Sequence, residues 1–442
     1  MDWCGMDFEI QEELGVRAGP APDSQRPAGP RRSRLRVLCL SRNYPSSAMP
    51  RLGLWVERLV RCCLETWEPK VIAPVPYFPP LPCFPRYSRF RKVETTLWVD
   101  GVEVFHPRIF VGPGYSLYNF ESLTYYLAVR RLVERIRRDF PFQLIHAHFS
   151  YPDGWVAARL GRKYRVPVII TEHAPWLPWM NQYPRVRRQA VWATRHSAFV
   201  IAVSRSVRDS ISHFAGELDH LRVVPNVLDG DTFKLPQAGD QFKSNQILFV
   251  GFMRMVKGLD VLLKAIRLLA DRGRTVDLVI VGESFTESYR RDEKCLREMV
   301  RELGLESRVR FAGPKSPAEV CRYMQESALL VLPSRAESFG SVLVEALACG
   351  TPVVATRCGG PEDIVKDGVG VLVPREDPEA LARGIERVLE CHAQYDRSML
   401  REYALLKFGL DSVGRGIADV YREALETFHV RGRANAANPN QA

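Results

Sequence analysis

The feature that most constrains this chain is an alternation, run twice, of short apolar stretches with longer amphipathic ones. In the second half QILFV, DLVIVG, RVRFAG, LLVLP, PVVAT and GVLVP recur between residues 246 and 374. Short apolar runs bounded by turn or polar residues suit strands buried on both faces. After the first of them Leu259, Leu262, Leu263, Ile266 and Leu269 fall three and four apart, the stripe of a helix packed on a sheet. The first half reads in the same way. LRVLCLS at 35–41 is a strand, 54–64 a helix, and strands follow at 70–75, 144–147, 167–171 and 198–203. Such alternation requires parallel sheets covered by helices. The expectation is an α/β protein of two doubly wound, Rossmann-like domains facing each other across a cleft. Ligands of such sheets sit at the carboxyl ends of the strands.

Residues 1–33 (…GPAPDSQRPAGPRRSR) lack the apolar content of a core, and a disordered tail is expected there. A first domain is expected over 34–235, a second over 236–409 and a short disordered tail over 431–442, with a hinge near 226–244. The Pro- and aromatic-rich region 76–118 (PYFPPLPCFPRY) reads as a long loop, either reaching over a site or simply covering surface. No apolar run approaches the roughly 18 to 20 residues that span a bilayer, and the N-terminus lacks the pattern of a secretory signal. Ten scattered cysteines without a C-x-x-C pair point to a reducing, cytoplasmic setting, not to a disulfide framework or structural zinc. A net charge of +11 admits nucleic acid, an anionic membrane or a small anionic substrate. With no zinc-finger, RNA-recognition or helix-turn-helix pattern, nucleic acid is not expected.

The stretch ESFGSVLVE, 337–345, carries the most chemistry. Two glutamates, Glu337 and Glu345, stand in otherwise apolar sequence with no obvious basic partner nearby, and an unpartnered buried carboxylate is costly. LLVLP is a strand, and a helix is expected to begin at Ser338 or Gly340 and stop at Gly350. The first turn, Ser338, Phe339 and Gly340, would offer free amides and the positive end of the helix dipole to a phosphate. Glu345, about one turn in, could accept hydrogen bonds from sugar hydroxyls, with Glu337 on the other side of the phosphate. A helix-start glutamate and a second one at the core rim explain the same spacing. Arg254 and Lys257, in the turn after the first strand of this domain, could hold a diphosphate, or could be solvated surface charges.

Taken together, VGFMRMVKGLDVLLKA, LVIVGES, VRFAGPKSPAEV and LPSRAESFGSVLVEALACGTPVVATRCGGPEDIVKDGVGVLVP resemble the retaining nucleotide-sugar glycosyltransferases of family 4, of GT-B architecture. In the first half IHAHFSYPDGWVAARLGRKYRVPVIITEH, AVSRSVRDSI and VVPNVLDGDTF are similar to that family more loosely, so the likeness covers about 34–430, with 76–140 poorly matched. The resemblance implies that final helices at about 410–430 return to the first domain. It implies that Glu345 binds the ribose and Glu337 the donor sugar. Ser338, Phe339 and Gly340 would hold the phosphate, and Arg254 and Lys257 the diphosphate. Gly53 would make room beside it, His173 would stand at the donor sugar, and His148 is an acceptor-side candidate or a core histidine. Phe252 stands where the family has arginine, Ala174 where it has the glycine after His, and Val227 in place of the hinge glycine. Asp229-Gly230-Asp231 has the D-x-D form that holds a metal in other transferases. Here it matches the family hinge, and arginine and lysine supply the positive charge, so no metal and no cofactor is expected beside the nucleotide-sugar co-substrate.

The implied reaction is transfer of a hexose from a nucleotide diphosphate-sugar to a glycan, lipid-linked or phospholipid hydroxyl, with retention of configuration. A sugar phosphorylase or epimerase of the same fold would instead release sugar phosphate or form epimer without acceptor. A non-catalytic nucleotide-sugar sensor would bind donor without transfer. The segment 121–140, with Arg130, Arg131, Arg135, Arg137 and Arg138 near Tyr125, Tyr126, Leu132 and Ile136, reads either as a basic helix lying on an anionic membrane or as a sheet-covering helix with a solvated face.

Overall fold

The computed structural model describes residues 34–437 apart from 63, 65, 78–87, 112–116, 176–177, 238, 240, 283 and 285–286. The tail expected over 1–33 lies outside the described residues.

Strands β1 (Leu35–Leu40), β2 (Trp67–Ile72), β3 (Val75–Tyr77), β4 (Thr96–Val99), β5 (Val102–Phe105), β6 (Arg108–Phe110), β7 (Leu144–His148), β8 (Val168–Glu172), β9 (Phe199–Ala202) and β10 (Leu221–Val223) belong to the first half. Eight of them form one sheet in the order β10-β9-β8-β7-β1-β2-β5-β4, and β3 pairs with β6 apart from it. All contacts in the large sheet are parallel except β4 with β5. Strands β11 (Lys243–Val250), β12 (Asp277–Val281), β13 (Val309–Gly313), β14 (Ser327–Leu332), β15 (Val353–Thr356) and β16 (Gly370–Val373) form a wholly parallel second sheet, ordered β13-β12-β11-β14-β15-β16.

Strand periodicity splits each sheet between two cores. Val37 and Cys39 pack on one face of the first sheet, Leu38 and Leu40 on the other. In the second sheet Ile247 and Phe249 face one core and Leu248 the other. The helix α1 (Leu54–Arg61) buries Val56, Leu59 and Val60. The helix α2 (Leu259–Asp271) buries its whole expected stripe, Leu259, Leu262, Leu263, Ile266 and Leu269. Burying such side chains stabilises by about 1.5–3 kcal/mol each before the entropy of ordering them.

The region 76–118 is not one long loop. It contains β3 to β6 and a short helix Ser88–Arg91, with β4 and β5 joined as a hairpin through Asp100 and Gly101. Both turn residues have positive φ, 46° and 83°, as the tight right-twisted turn requires. The tail expected over 431–442 continues instead, as far as Ala437, the last helix, which starts at Leu410. From it Val413, Ile417, Val420, Tyr421 and Ala424 enter the first-domain core.

In each sheet the strand order reverses once, between β1 and β7 and between β11 and β14. Crevices at such reversals are where open α/β sheets hold ligands.

Candidate functional site

The residues after those four strands line one cavity of about 560 Å³. Arg42 follows β1, Ser150 follows β7, Lys257 follows β11 and Glu337 follows β14. The two halves touch around it: Ser204 Oγ donates to Ser338 O at 2.6 Å and Arg205 N to Asp363 Oδ2 at 2.6 Å.

On the second-domain wall the loop 337–339 is shaped by two glycines. Gly359 pairs with Glu337 as a parallel bridge, and Gly360 N donates to Glu337 O at 2.8 Å. Gly359 has φ 123°, and a Cβ on Gly360 would stand 2.3 Å from Phe339 Cα. Only glycine permits this approach. The helix α3 (Ser341–Ala348) then starts one residue later than the expected range, because Gly340 takes a left-handed φ of 96° and serves as its cap. Its apolar residues Leu343, Val344, Ala346, Leu347 and Ala348 are buried, which leaves Glu345 on the cavity side.

Both glutamates have cationic partners, distant in sequence. Lys257 Nζ donates to Glu337 Oε2 at 2.7 Å. Arg58, on α1 of the first domain, donates to Glu345 Oε1 at 3.1 Å and lies 3.8 Å from Asp229. Burial raises the Glu345 pKa, and Arg58 opposes it. Arg58 went unnoticed in the sequence because nothing in an amphipathic helix announces a partner 287 residues away.

On the first-domain wall three histidines form a buried file. His148 stacks between His146 and His173, with ring centroids 4.5 and 5.3 Å away. His173 Nδ1 lies 3.0 Å from Asn226 Oδ1, and its Nε2 lies 3.0 Å from His148 Nδ1. With the amide oxygen as acceptor, the His173 proton is assigned to Nδ1 and its Nε2 accepts from His148 Nδ1–H. His146 bonds Tyr421 and Thr171 at 2.7 Å each. Burial holds all three neutral, with His173 lowered to about 4, His146 to about 3 and His148 well below the usual value.

Lys257, Glu337, Ser338, Phe339, Gly340, Glu345 and His173 therefore share one cavity. Three expected members stand elsewhere. Gly53 caps α1 at φ 74°, where a Cβ would meet Asn43 O at 2.0 Å, so it fixes the loop and does not line the cavity. Arg254 turns to Tyr289, over its ring at 4.7 Å, while Phe252 lines the cavity. His148 sits behind His173. Asp229 is occupied by Thr232 N and Oγ1 at 3.0 and 2.7 Å. Among the described residues no three His, Cys, Asp or Glu side chains converge as a metal-ligand set.

Comparison with known proteins fits this geometry. The family described as Glycosyl transferases group 1 matches residues 232–406, and Glycosyltransferase Family 4 matches 83–231. An uncharacterized glycosyltransferase of Methanocaldococcus jannaschii is 30% identical over 312 residues, 70% of this chain and 83% of that one. The D-inositol 3-phosphate glycosyltransferase of Acidothermus cellulolyticus is 30% identical over 322 residues, 66% and 69% of the two chains. Among solved structures, Anabaena Alr3699/HepE in complex with UDP-glucose superposes with a TM-score of 0.65 at 22% identity, covering 88% of this chain and 99% of that one. Two facing parallel sheets, a cleft at their reversal points and these matches lead to one conclusion: the chain belongs to glycosyltransferase family 4, has the GT-B fold, and is an enzyme of glycosyl transfer from nucleotide sugars.

Proposed function

We propose that the protein moves a hexosyl group from a nucleoside diphosphate-sugar to an acceptor hydroxyl with retention of anomeric configuration and without a metal. One observation carries this reading: the amide end of α3, the Lys257–Glu337 pair and Glu345 converge in the cavity opposite His173. The diphosphate sits at Gly340 and Ser341, where free amides and the helix dipole favour an anion. Lys257 stabilises charge as it develops on the leaving phosphate. Glu345 accepts from the ribose hydroxyls and Glu337 from the sugar. His173, neutral and with both nitrogens occupied within the protein, packs against the sugar and closes the site to water. The acceptor oxygen bonds to the anomeric carbon on the face from which the phosphate oxygen departs, and that phosphate oxygen takes the acceptor proton. The protein contributes positioning and charge stabilisation. UDP is the favoured nucleotide, since the HepE neighbour was solved with UDP-glucose.

The test is a thermal-shift panel of UDP, GDP and ADP with their hexose derivatives, on wild type and Glu345→Ala. A ligand at a hundred times its dissociation constant stabilises by about 2.7 kcal/mol. One nucleotide series should shift the wild type and not the variant, and transfer should follow with that donor. Donor binding without transfer to any acceptor would overturn the hexosyl-transfer proposal.

We further propose that the reaction takes place in the cytoplasm, with peripheral membrane contact through the helix Glu121–Asp139. Tyr125 and Ile136, expected beside a membrane, are core residues. The exposed apolar row is Phe120, Leu123 and Leu127, with Arg130, Arg131, Arg135 and Arg138 exposed further along. No helix of the described residues is long and apolar enough to cross a membrane. Sedimentation with anionic vesicles at low salt should carry the protein down, and absence of binding there rejects this contact.

A further inference from the structure

A second concavity, of about 960 Å³, opens on the first domain beside the helix Pro184–Arg195. Pro184, Arg187, Arg188, Val191, Trp192 and Arg195 line it. Their spacing of three and four places them on one face of that helix. Val186 and Ala190, on another face, line the 560 Å³ cavity instead, and no residue lines both. Across the groove stand Asn181 and Phe214, the latter near the end of the helix Arg205–Ala215.

The groove gathers cations without carboxylates. No Asp or Glu lines it. Other arginines of the chain are balanced, Arg272 by Glu379 and Glu386 and Arg335 by Asp260. Among the described residues Arg187, Arg188 and Arg195 take part in no ion pair. Arg187 donates to Asn181 Oδ1 at 3.2 Å and lies over the Phe214 ring at 5.4 Å. Arg195 donates to Ala215 O at 2.7 Å, and Arg188 makes no hydrogen bond. Each guanidinium carries five N–H donors, so most of them are unmade, and like charges along one helix face repel. A fourth guanidinium, that of Arg159, stands over Trp192 at 5.4 Å. Trp192 is stacked on His196 with ring centroids 4.5 Å apart, and its indole N–H has no protein acceptor among the described residues. Donors without acceptors, beside the apolar walls of Val191 and Phe214, suit an anion joined to an apolar part. Guanidinium forks match phosphate oxygens in particular. Arg188 and Arg195 are seven residues apart, about 10 Å along the axis, a span that a single phosphate does not bridge and linked phosphates do.

We propose that this groove is a second binding site, for a molecule carrying two or more phosphate groups, which Arg187, Arg188 and Arg195 hold while its apolar part lies against Val191 and Phe214. A free polyphosphorylated compound and a doubly phosphorylated lipid headgroup present this same chemistry. The site is separate from the transferase cavity and does not rest on the transferase reading.

The free source is probed with tripolyphosphate by titration calorimetry, on protein saturated with the nucleotide named by the thermal panel so that the cleft is filled. Should no nucleotide bind, Lys257→Ala protein serves instead. Saturable binding is expected, weakening as salt is raised. Arg188→Ala and Arg195→Ala should each weaken it about tenfold. Arg322→Ala, which removes the same charge from an exposed position on the second domain, should leave it nearly unchanged. The lipid source is probed by sedimentation with vesicles of phosphatidylcholine and cardiolipin, and the two groove variants should lose binding that Arg322→Ala keeps. Either arm alone supports the site and names its source. Arg188 has no bond in the chain to lose, so its variant should fold and bind nucleotide as the wild type does. The proposal is overturned if neither probe binds, or if the groove variants bind both probes as well as Arg322→Ala does, which is the behaviour of a solvated basic face. Vesicle binding that the groove variants keep, without tripolyphosphate binding, overturns it as well and assigns the lipid contact to another surface.

Discussion

Glu345 shows how much one residue can depend on a partner outside its own domain. Its side chain is 16% exposed and that of Arg58 20%, so the pair is partly shielded from water without being fully buried. Truncating Arg58 leaves a carboxylate that burial already pushes toward protonation, and in the proposed function a protonated Glu345 would be a poorer acceptor for the ribose hydroxyls. Arg58→Ala is therefore expected to weaken UDP binding about tenfold, roughly 1.4 kcal/mol, as titration calorimetry would read it. Unchanged affinity would mean that Arg58 serves domain contact alone. Asn226 acts on His173 in the same indirect way, through the 3.0 Å contact to Nδ1. At this scale the motif residues Glu337, Glu345, Lys257 and His173 were legible in the sequence, because a resemblance fixes residue types at fixed spacing. Arg58 and Asn226 were not, since their contacts come from elements far apart in the chain.

Among the elements, the loop 337–339 is held by close backbone approaches. Its course is set by the Gly359–Gly360 crossing and by Gly258, whose Cβ would fall 1.9 Å from Pro333 O. Arg335 adds a two-pronged contact to Asp260, at 2.8 Å for each prong. Gly360→Ala must push the 337–339 backbone away, and a loop displaced by about 1 Å loses on the order of a hundredfold in turnover. The expected outcome is a folded protein with strongly reduced transfer. Wild-type kinetics in that variant would show that the loop can re-form around a side chain. The start of α3 at Ser341, past the expected Ser338 or Gly340, follows from the left-handed Gly340, a conformation that spacing in sequence does not reveal. The hairpin of β4 and β5 was hidden by the Pro-rich composition around it, although its Asp100-Gly101 turn is a recognisable signal.

For the whole molecule, the buried histidine file makes stability depend on pH. Burial lowers His173 to about 4 and His146 to about 3 in the folded chain, from an ordinary 6.5. Between those values the unfolded chain binds more protons than the folded one, so stability falls as pH is lowered through the window. Melting temperature should decline steadily from pH 7 to pH 4.5 and be regained on return. A flat profile would mean that the file is charged in the folded state. Tyr421 ties this file to the last helix through His146, so Tyr421→Phe should destabilise by about 1–2 kcal/mol in chemical denaturation, leaving a buried ring nitrogen unmade. The sequence by itself determined the two parallel sheets and their helices, because apolar period and run length are local properties that burial on both faces demands. It also determined that a helix follows the fourth strand of the second domain just past Glu337, though not the residue at which that helix starts. The pairing of Glu345 with Arg58 and the stacking of three histidines were decided by tertiary structure alone. Each depends on which strand ends the sheet order brings together and how the two domains close, and that is settled by packing over hundreds of residues.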